Sequence, residues 1–380
     1  MERIYLDFNA TTPLDPRVLE AMLPVLQSTF GNASSIHWFG QRARALVEEA
    51  RETVAAFVGA ESGEIVFTGG GTESDNAALR GALAAASPER RKVLVSATDH
   101  HAVTHTAEAL RREGASVVVI RSQTNGSVDL EDLAAKLDDA TLLVAVMAAN
   151  NEVGIVQPSE QVAQLAHARG ALFLSDAVQA AGKLPLDVND PPVDLMALSA
   201  HKLYGPKGVG ALYVRRGTRI KPLIHGGGQE RNRRAGTENV AAVVGFAAAV
   251  RLASADMASE SRRLRGLRDR IEQRLVERAG AERNGEEPRV PNTASLSFPG
   301  VEAERLVMAL DLAGVAVSTG AACSAGAIEP SHVLKAMGLP PARVQSSVRI
   351  SLGRSTTPDE IDEAAARIEK AVERQRGGNV

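Results

Sequence analysis

Among its 380 residues this chain carries one cysteine, Cys323, together with one tryptophan, three tyrosines and eight phenylalanines. A single cysteine excludes intrachain disulfides and cysteine-clustered metal sites, and it fits a reducing compartment. Aromatics at 3% leave little with which to stack nucleic-acid bases. Neither sign of charge dominates: 43 Lys and Arg stand against 46 Asp and Glu, a formal net charge of −3. That balance lacks the footprint of a nucleic-acid partner or an anionic membrane surface. Long apolar runs are missing too. The most apolar stretch, Val240 to Val250, is too short to span a bilayer and reads as a buried helix. The opening Met-Glu-Arg-Ile-Tyr-Leu-Asp has no basic-then-apolar signal pattern, so the cytoplasm is the expected location.

What is present is an ordinary globular balance, 44% hydrophobic and 23% charged, in a chain long enough for two domains. Residues 4–12 read as an extended arm ending at Pro13. Helical spacing follows over Pro16–Phe30 and from about Arg42 to Val58. Seven short apolar or β-branched runs come next: Glu64–Thr68, Lys92–Ser96, Val117–Arg121, Leu142–Met147, Ala171–Ser175, Val193–Ser199 and Val209–Val214. Helical patterns separate most of them (Ser74–Ala86, His101–Arg112, Leu130–Leu137, Ser159–Ala168). This alternation predicts an α/β fold with a mostly parallel, seven-stranded sheet covered on both faces, and ligands outside the carboxyl ends of its strands. It breaks near residue 255. Beyond a long charged helix over Arg251–Arg278, elements at Thr293–Phe298, Ala303–Ala313, Val315–Ser318, Ser347–Leu352 and Pro358–Arg374 predict a smaller α+β domain. The expected division is an arm at 1–15 packing with the small domain, a large domain at 16–255 and a small domain at 256–380.

The strand ends carry the chemistry. The run Ser199-Ala200-His201-Lys202 ends one buried strand. A lysine there is costly unless its ammonium is paired or used, and burial turns such an amine into a nucleophile; alone, it reads as reaching solvent. Gly69-Gly70-Gly71-Thr72 feeds a helix, as a phosphate cradle would, with Thr72 as its cap and Asp75 as capping-box partner. A plain βα turn is equally compatible, and the spacing matches neither nucleotide-binding glycine motif. His100 and His101 can be surface histidines or a cofactor's stacking and proton-shuttling partner. Asn150-Asn151-Glu152 can be turn chemistry alone. Asp176, with Gln179 a turn later, can cap a helix or pair with a protonated ring nitrogen. Together, a phosphate cradle, a stacking histidine, an acid and a Schiff-base lysine are the parts pyridoxal 5'-phosphate requires. Gly226-Gly227-Gly228 and the basic run to Thr237 suit an anion. Cys323, flanked by Gly, Ala and Ser, reads as reactive. Arg349, inside a strand, suits a carboxylate or a structural salt bridge.

With Tyr5-Leu6-Asp7, Asn150-Asn151-Glu152-Val153-Gly154, His201-Lys202 and Arg349 in order, the chain resembles the NifS/IscS-like cysteine desulfurases. These are a branch of the class-V aminotransferases among the fold-type I pyridoxal phosphate enzymes. The resemblance implies a homodimer that turns L-cysteine into L-alanine and an enzyme-bound persulfide. It assigns Lys202 the covalent link to the cofactor and the α-proton, Asp176 the pyridine nitrogen, Gln179 the ring hydroxyl and His100 the stacked position. Gly71, Thr72, Ser199 and His201 hold the phosphate, helped by Thr237 from the other subunit. Asn151 and Arg349 bind the substrate carboxylate. Cys323 takes the sulfur and delivers it to an acceptor such as an iron–sulfur scaffold or a tRNA-thiolation protein. Gly70, Ala235 and His101 depart from the commoner family residues without removing a required group. The long stretch after Cys323 is that of the branch whose cysteine rides a mobile loop, so weak order is expected over Ala321–Glu329. A selenocysteine lyase would share fold and cofactor, and a cofactor-free scaffold would use the fold for interaction alone.

Overall fold

The computed structural model describes residues 3–319 and 330–377. Its strands in chain order are β1 (Ile4–Tyr5), β2 (Ile65–Thr68), β3 (Lys92–Ser96), β4 (Ser116–Ile120), β5 (Thr141–Ala145), β6 (Leu172–Asp176), β7 (Leu195–Ser199), β8 (Gly210–Val214), β9 (Glu282–Arg283), β10 (Thr293–Ser297), β11 (Val315–Ala316) and β12 (Ser347–Ser351). Seven of them form one sheet in the order β2-β8-β7-β6-β5-β3-β4. Only β8 runs against its neighbours. The mostly parallel seven-stranded sheet expected from the alternating pattern is therefore present. Its strands are nearly all apolar because helices cover both faces, and β2, β7 and β8 are buried along their whole length.

Helices His101–Arg112 and Ser159–Ala168 begin and end where their apolar spacing places them. The helix expected to begin near Arg42 starts earlier, at Trp38, because the His37 side chain accepts from the Gly40 N–H and caps it there. The larger difference lies at the expected domain boundary. A single helix runs unbroken over Val240–Ala279, straight through residue 255. Val240–Val250 and Ala253 belong to the core against the large sheet, whereas Leu264, Leu267, Ile271 and Leu275 belong to a second core. The composition changes at Arg251 because the helix leaves one core for another, and the backbone has no reason to stop there. By length and composition alone the whole 40-residue helix is long and apolar enough to cross a membrane, although Val240–Val250 by itself is too short. Its apolar residues are nevertheless buried in the protein core.

The second core is built on β12-β10-β9, the end of the long helix, and helices Ala303–Leu312 and Pro358–Gly377. The N-terminal arm belongs to it. β1 pairs in parallel with β11, and Ile4 and Leu6 enter the small core. Alternation along the extended arm turns Asp7 and Asn9 the other way, toward the large domain. Both line a cavity there.

Candidate active site

A cavity of about 680 Å³ lies outside the carboxyl ends of β2, β3, β6 and β7, where a doubly wound sheet places its ligand. Its wall brings together Gly71, Thr72, His100, Asn151, Asp176, Gln179, Ser199, His201, Lys202 and Arg349. Two expected residues stand apart. Thr237 is exposed and is not in that wall, and Cys323 lies outside the described residues. The expectation of weak order over Ala321–Glu329 falls on the same undescribed stretch.

At the end of β2, helix Gly71–Ala85 starts three residues earlier than its apolar spacing suggests. Gly70 is its N-cap, and no side chain caps it, so the expected cap by Thr72 and capping box with Asp75 are not formed. Gly70 has φ of 145°, a conformation open essentially to glycine alone. A Cβ on neighbouring Gly210 would lie 2.7 Å from the Gly70 Cα, so Gly210 too must be bare, for lack of space rather than for its backbone angles. The result is a helix N-terminus with its dipole toward the cavity and Ser199 and His201 beside it. Thr72 lines the wall, and Asp75 turns inward, 1% exposed.

Lys202 ends a single 3₁₀ turn after β7. Its Nζ donates to the carbonyls of Asn9 and Ala10, the latter at 2.7 Å. Burial, and then the Arg349 charge, lower this amine to about 8, while Asp7 and Asp176 oppose the shift. Asp176, the last residue of β6, accepts from the Val178 N–H at 2.9 Å; burial raises it to about 6, against that hydrogen bond and the Lys202 charge. No helix follows β6, so the expected helix cap is not formed; the side chain closes a turn instead and lies in the cavity wall. His100 accepts from the Ala102 N–H through Nδ1 at 3.1 Å. Burial, Lys202, His332 and His105 hold it down to about 4. Near neutral pH its ring is uncharged, with the proton on Nε2.

Arg349 is gripped from two sides. Nη2 donates to Asp7 Oδ1 at 2.7 Å and Nη1 to the Asn151 carbonyl at 3.1 Å. Its Nε is buried with no partner among the described residues, as is Asp75 Oδ1. Burial, with Asp176 and Asp99 nearby, pushes Asp75 well above the usual carboxylate range. Gln179 donates from Nε2 to the Asn9 carbonyl at 3.0 Å and accepts from Lys183 Nζ at 3.1 Å. The sequence gives no cavity role to Asp7, Asn9 or Asp75, nor to Glu304, Val307 and Met308 on helix Ala303–Leu312, all in the cavity wall. The arm's alternation of apolar and polar residues was a usable signal for Asp7 and Asn9. The helix gave none, because its apolar positions read as core.

A half-buried lysine, a buried acid and an uncapped helix N-terminus at the end of a mostly parallel sheet, with a half-partnered arginine reaching in from β12, define an enzyme of the pyridoxal phosphate class. The aminotransferase class-V model matches residues 4–364, and the chain belongs to that family. Its relatives narrow the branch. It is 45% identical over 379 residues to the cysteine desulfurase IscS of Dictyoglomus turgidum, covering 98% of this chain and 95% of that one. It is 46% identical to the Escherichia coli cysteine desulfurase IscS, covering 98% and 93%. A solved NifS-like protein superposes with a TM-score of 0.92 at 38% identity, covering 98% and 99%. SspA in complex with cysteine gives 0.82 at 34%, covering 92% and 98%. The branch is that of the NifS/IscS-like cysteine desulfurases, whose cofactor is pyridoxal 5'-phosphate.

The residues present fit that group. Lys202 has only two backbone carbonyls as hydrogen-bond partners for a half-buried amine among the described residues, and the orphaned Arg349 Nε calls for an anionic ligand.

Proposed function

We propose that this protein removes sulfur from L-cysteine, releases L-alanine and holds the sulfur as a persulfide on Cys323 for transfer to an acceptor protein. The observation that carries this reading is one cavity holding both a half-buried lysine lowered to about 8 and an arginine with an unused buried N–H. The acceptor is an iron–sulfur scaffold or a tRNA-thiolation protein, and the reaction takes place in the cytoplasm.

Lys202 would hold the cofactor covalently. Asp176 would pair with its ring nitrogen, Gln179 would bond its hydroxyl and His100 would pack on its ring, while Gly71, Thr72, Ser199 and His201 would hold its phosphate. Bound there, the cofactor supplies an electron sink for charge developing at the substrate's α-carbon. Arg349 and Asn151 hold the substrate carboxylate and so fix the α-carbon beside Lys202. Near neutral pH Lys202 is partly the free amine and can take the α-proton at Nζ. The neutral His100 can then exchange its Nε2 proton with the reacting groups. The Cys323 thiolate attacks the substrate sulfur, the carbon–sulfur bond breaks, and the carbon skeleton gains the proton that makes it alanine. Written as a balance, L-cysteine and a Cys323 thiol give L-alanine and a Cys323 persulfide, with no outside oxidant or reductant.

The active unit is a homodimer in this proposal. Supporting it, Thr237 is exposed and away from its own cavity. Leu26, Phe30, Ile36 and Trp38 are also 62%, 80%, 91% and 61% exposed on one stretch, an apolar surface of the kind that marks an interaction site. Sedimentation should give a dimer; a fully active monomer would refute it.

The purified protein should absorb visible light, and borohydride reduction should abolish the band. Lys202→Ala should lose both the covalent attachment and turnover. Cys323→Ser should keep the band but yield no persulfide, and mass spectrometry of the parent after cysteine should find one added sulfur on the Cys323 peptide. Stoichiometric alanine and sulfide without that adduct would place the sulfur elsewhere.

A further inference from the structure

The motif around Asp7 was read from the sequence as an extended arm, and the cofactor chemistry assigns Asn9 nothing. Yet Asn9 is 2% exposed and lines the cavity wall. Its Nδ2 donates to the Asn151 carbonyl at 3.0 Å and to Thr293 Oγ1 at 2.8 Å. Its Oδ1 accepts from Asn292 Nδ2 at 3.0 Å, and its backbone N–H donates to Ser351 Oγ at 2.9 Å. Every polar atom of the side chain is therefore committed. Two of the partners lie on or beside β10, one is on β12, and one belongs to the Asn150–Glu152 turn of the large domain. The carbonyl so anchored accepts from both Gln179 Nε2 and Lys202 Nζ, and the next carbonyl, Ala10, also accepts from Lys202.

We propose that Asn9 is a positioning residue for Lys202: its side chain clamps the Asn9–Ala10 segment so that two main-chain carbonyls form a docking site for the Lys202 ammonium whenever that amine is not covalently engaged. The inference rests on the desulfurase reading for its importance, but the docking itself concerns only this chain's residues. Carbonyl acceptors favour the charged form of an amine. They counter the burial and the Arg349 charge that push Lys202 down. The other charged or titratable groups facing Lys202 are Asp7, Asp176, His100, His201 and Lys183, and the Asn9 side chain hydrogen-bonds none of them. The clamp reaches both cores, so it also ties the lysine's surroundings to the alignment of the two domains. Arg349, which donates to the same Asn151 carbonyl as Asn9, is held through the same junction.

The test reads the Lys202 amine directly. The full-length chain, freed of cofactor, is labelled with trace acetic anhydride across a pH series, and mass spectrometry follows the Lys202 peptide. In Asn9→Ala, loosening one charge-assisted contact should move the inflection of Lys202 labelling about one pH unit lower. Thr293→Val, which removes one acceptor of the Asn9 amide and keeps the shape, should move it in the same direction by less. Melting temperature is recorded for each variant. An inflection unchanged in a folded Asn9→Ala, whatever its melting temperature, would reduce Asn9 to a structural role and overturn the proposal. Should Asn9→Ala fail to fold, Thr293→Val decides by the same criterion. A shifted inflection with parental cysteine turnover would leave the docking site standing and count against the desulfurase reading's account of Lys202.

Discussion

At the scale of single residues, the cavity depends on how few partners its charged groups keep for themselves. Arg349 holds Asp7 and the Asn151 carbonyl with its two terminal nitrogens and keeps Nε free. Lysine cannot reproduce that fork, because an ammonium is a point charge without the planar geometry. Arg349→Lys should therefore raise the KM for cysteine about ten- to a hundredfold, the effect of about 1.5–3 kcal/mol of lost charged hydrogen bonding. Steady-state kinetics check it; an unchanged KM would move the carboxylate elsewhere. His201 shows how far neighbours decide what a residue type does. Its Nδ1 is 3.0 Å from Thr11 Oγ1, and burial and the Lys202 charge lower it from 6.5 to about 4. The unfolded chain protonates this ring below about 6.5, and the native state resists until about 4. Between those values the unfolded state binds more protons, so this group's contribution makes stability fall as pH falls. Asp176, raised to about 6, acts in the opposite direction as the pH falls below about 6. Comparison with His201→Asn isolates the histidine: the variant should lose less stability than the parent between pH 7 and pH 5 by urea denaturation. Equal losses would contradict the assignment.

At the scale of elements, the loop before Thr237 holds the only run of consecutive non-glycine residues with positive φ among the described residues. Glu230, Arg231 and Asn232 are three consecutive residues with positive φ, at 45°, 57° and 64°. Such residues persist only where their surroundings over-determine them. Here the surroundings are a buried pair: Arg51 Nη1 and Nη2 donate to Glu230 Oε2 and Oε1 at 2.6 and 2.9 Å. The Phe67 N–H donates to the same Oε2 at 2.9 Å, and Arg51 Nη1 also reaches the Ile65 carbonyl at 2.9 Å. The loop is thus pinned to β2 at the edge of the large sheet. Arg51→Met would strand a buried carboxylate and should cost about 3–5 kcal/mol, measurable by denaturant unfolding. A loss under about 1 kcal/mol would mean that the loop relaxes without its anchor. The sequence displayed this loop's glycines and basic residues, but the glutamate that holds it looked like one more surface charge.

At the scale of the whole molecule, the two cores share one helix and one arm. Val240–Ala279 serves the large core with its first part and the small core with its last, and the arm enters the small core through Ile4 and Leu6 while presenting Asn9 to Lys202. Relative movement of the cores therefore acts on the cavity itself. Replacing Leu6, fully buried in the small core, with alanine should cost about 2–5 kcal/mol. It should also weaken cysteine turnover although no cavity residue changes. Parental turnover in a measurably destabilised Leu6→Ala would uncouple the arm's packing from the site.

Local chemistry was legible in the chain. Strand runs such as Lys92–Ser96 and helices such as His101–Arg112 announce themselves because their side-chain period is a property of a few consecutive residues. Lys202, Asp176 and His100 were conspicuous for the same reason, each a polar residue just at or past the end of a buried strand. What the chain could not display was convergence. The backbone of Asn9 meets Ser351 across 342 positions, and its side chain meets Asn151 across 142. No local pattern encodes partners that far apart. The cap of helix Gly71–Ala85 is likewise not legible locally: Gly70 takes a backbone conformation open to glycine, and its backbone packs so close to β8 that Gly210 must also lack a side chain. The sequence by itself determined which elements form and which groups carry chemistry, through period, burial and turn residues. Only the tertiary structure decided which carbonyls receive Lys202 and which nitrogen of Arg349 stays free, because hydrogen bonds depend on positions in space that two separate cores set together.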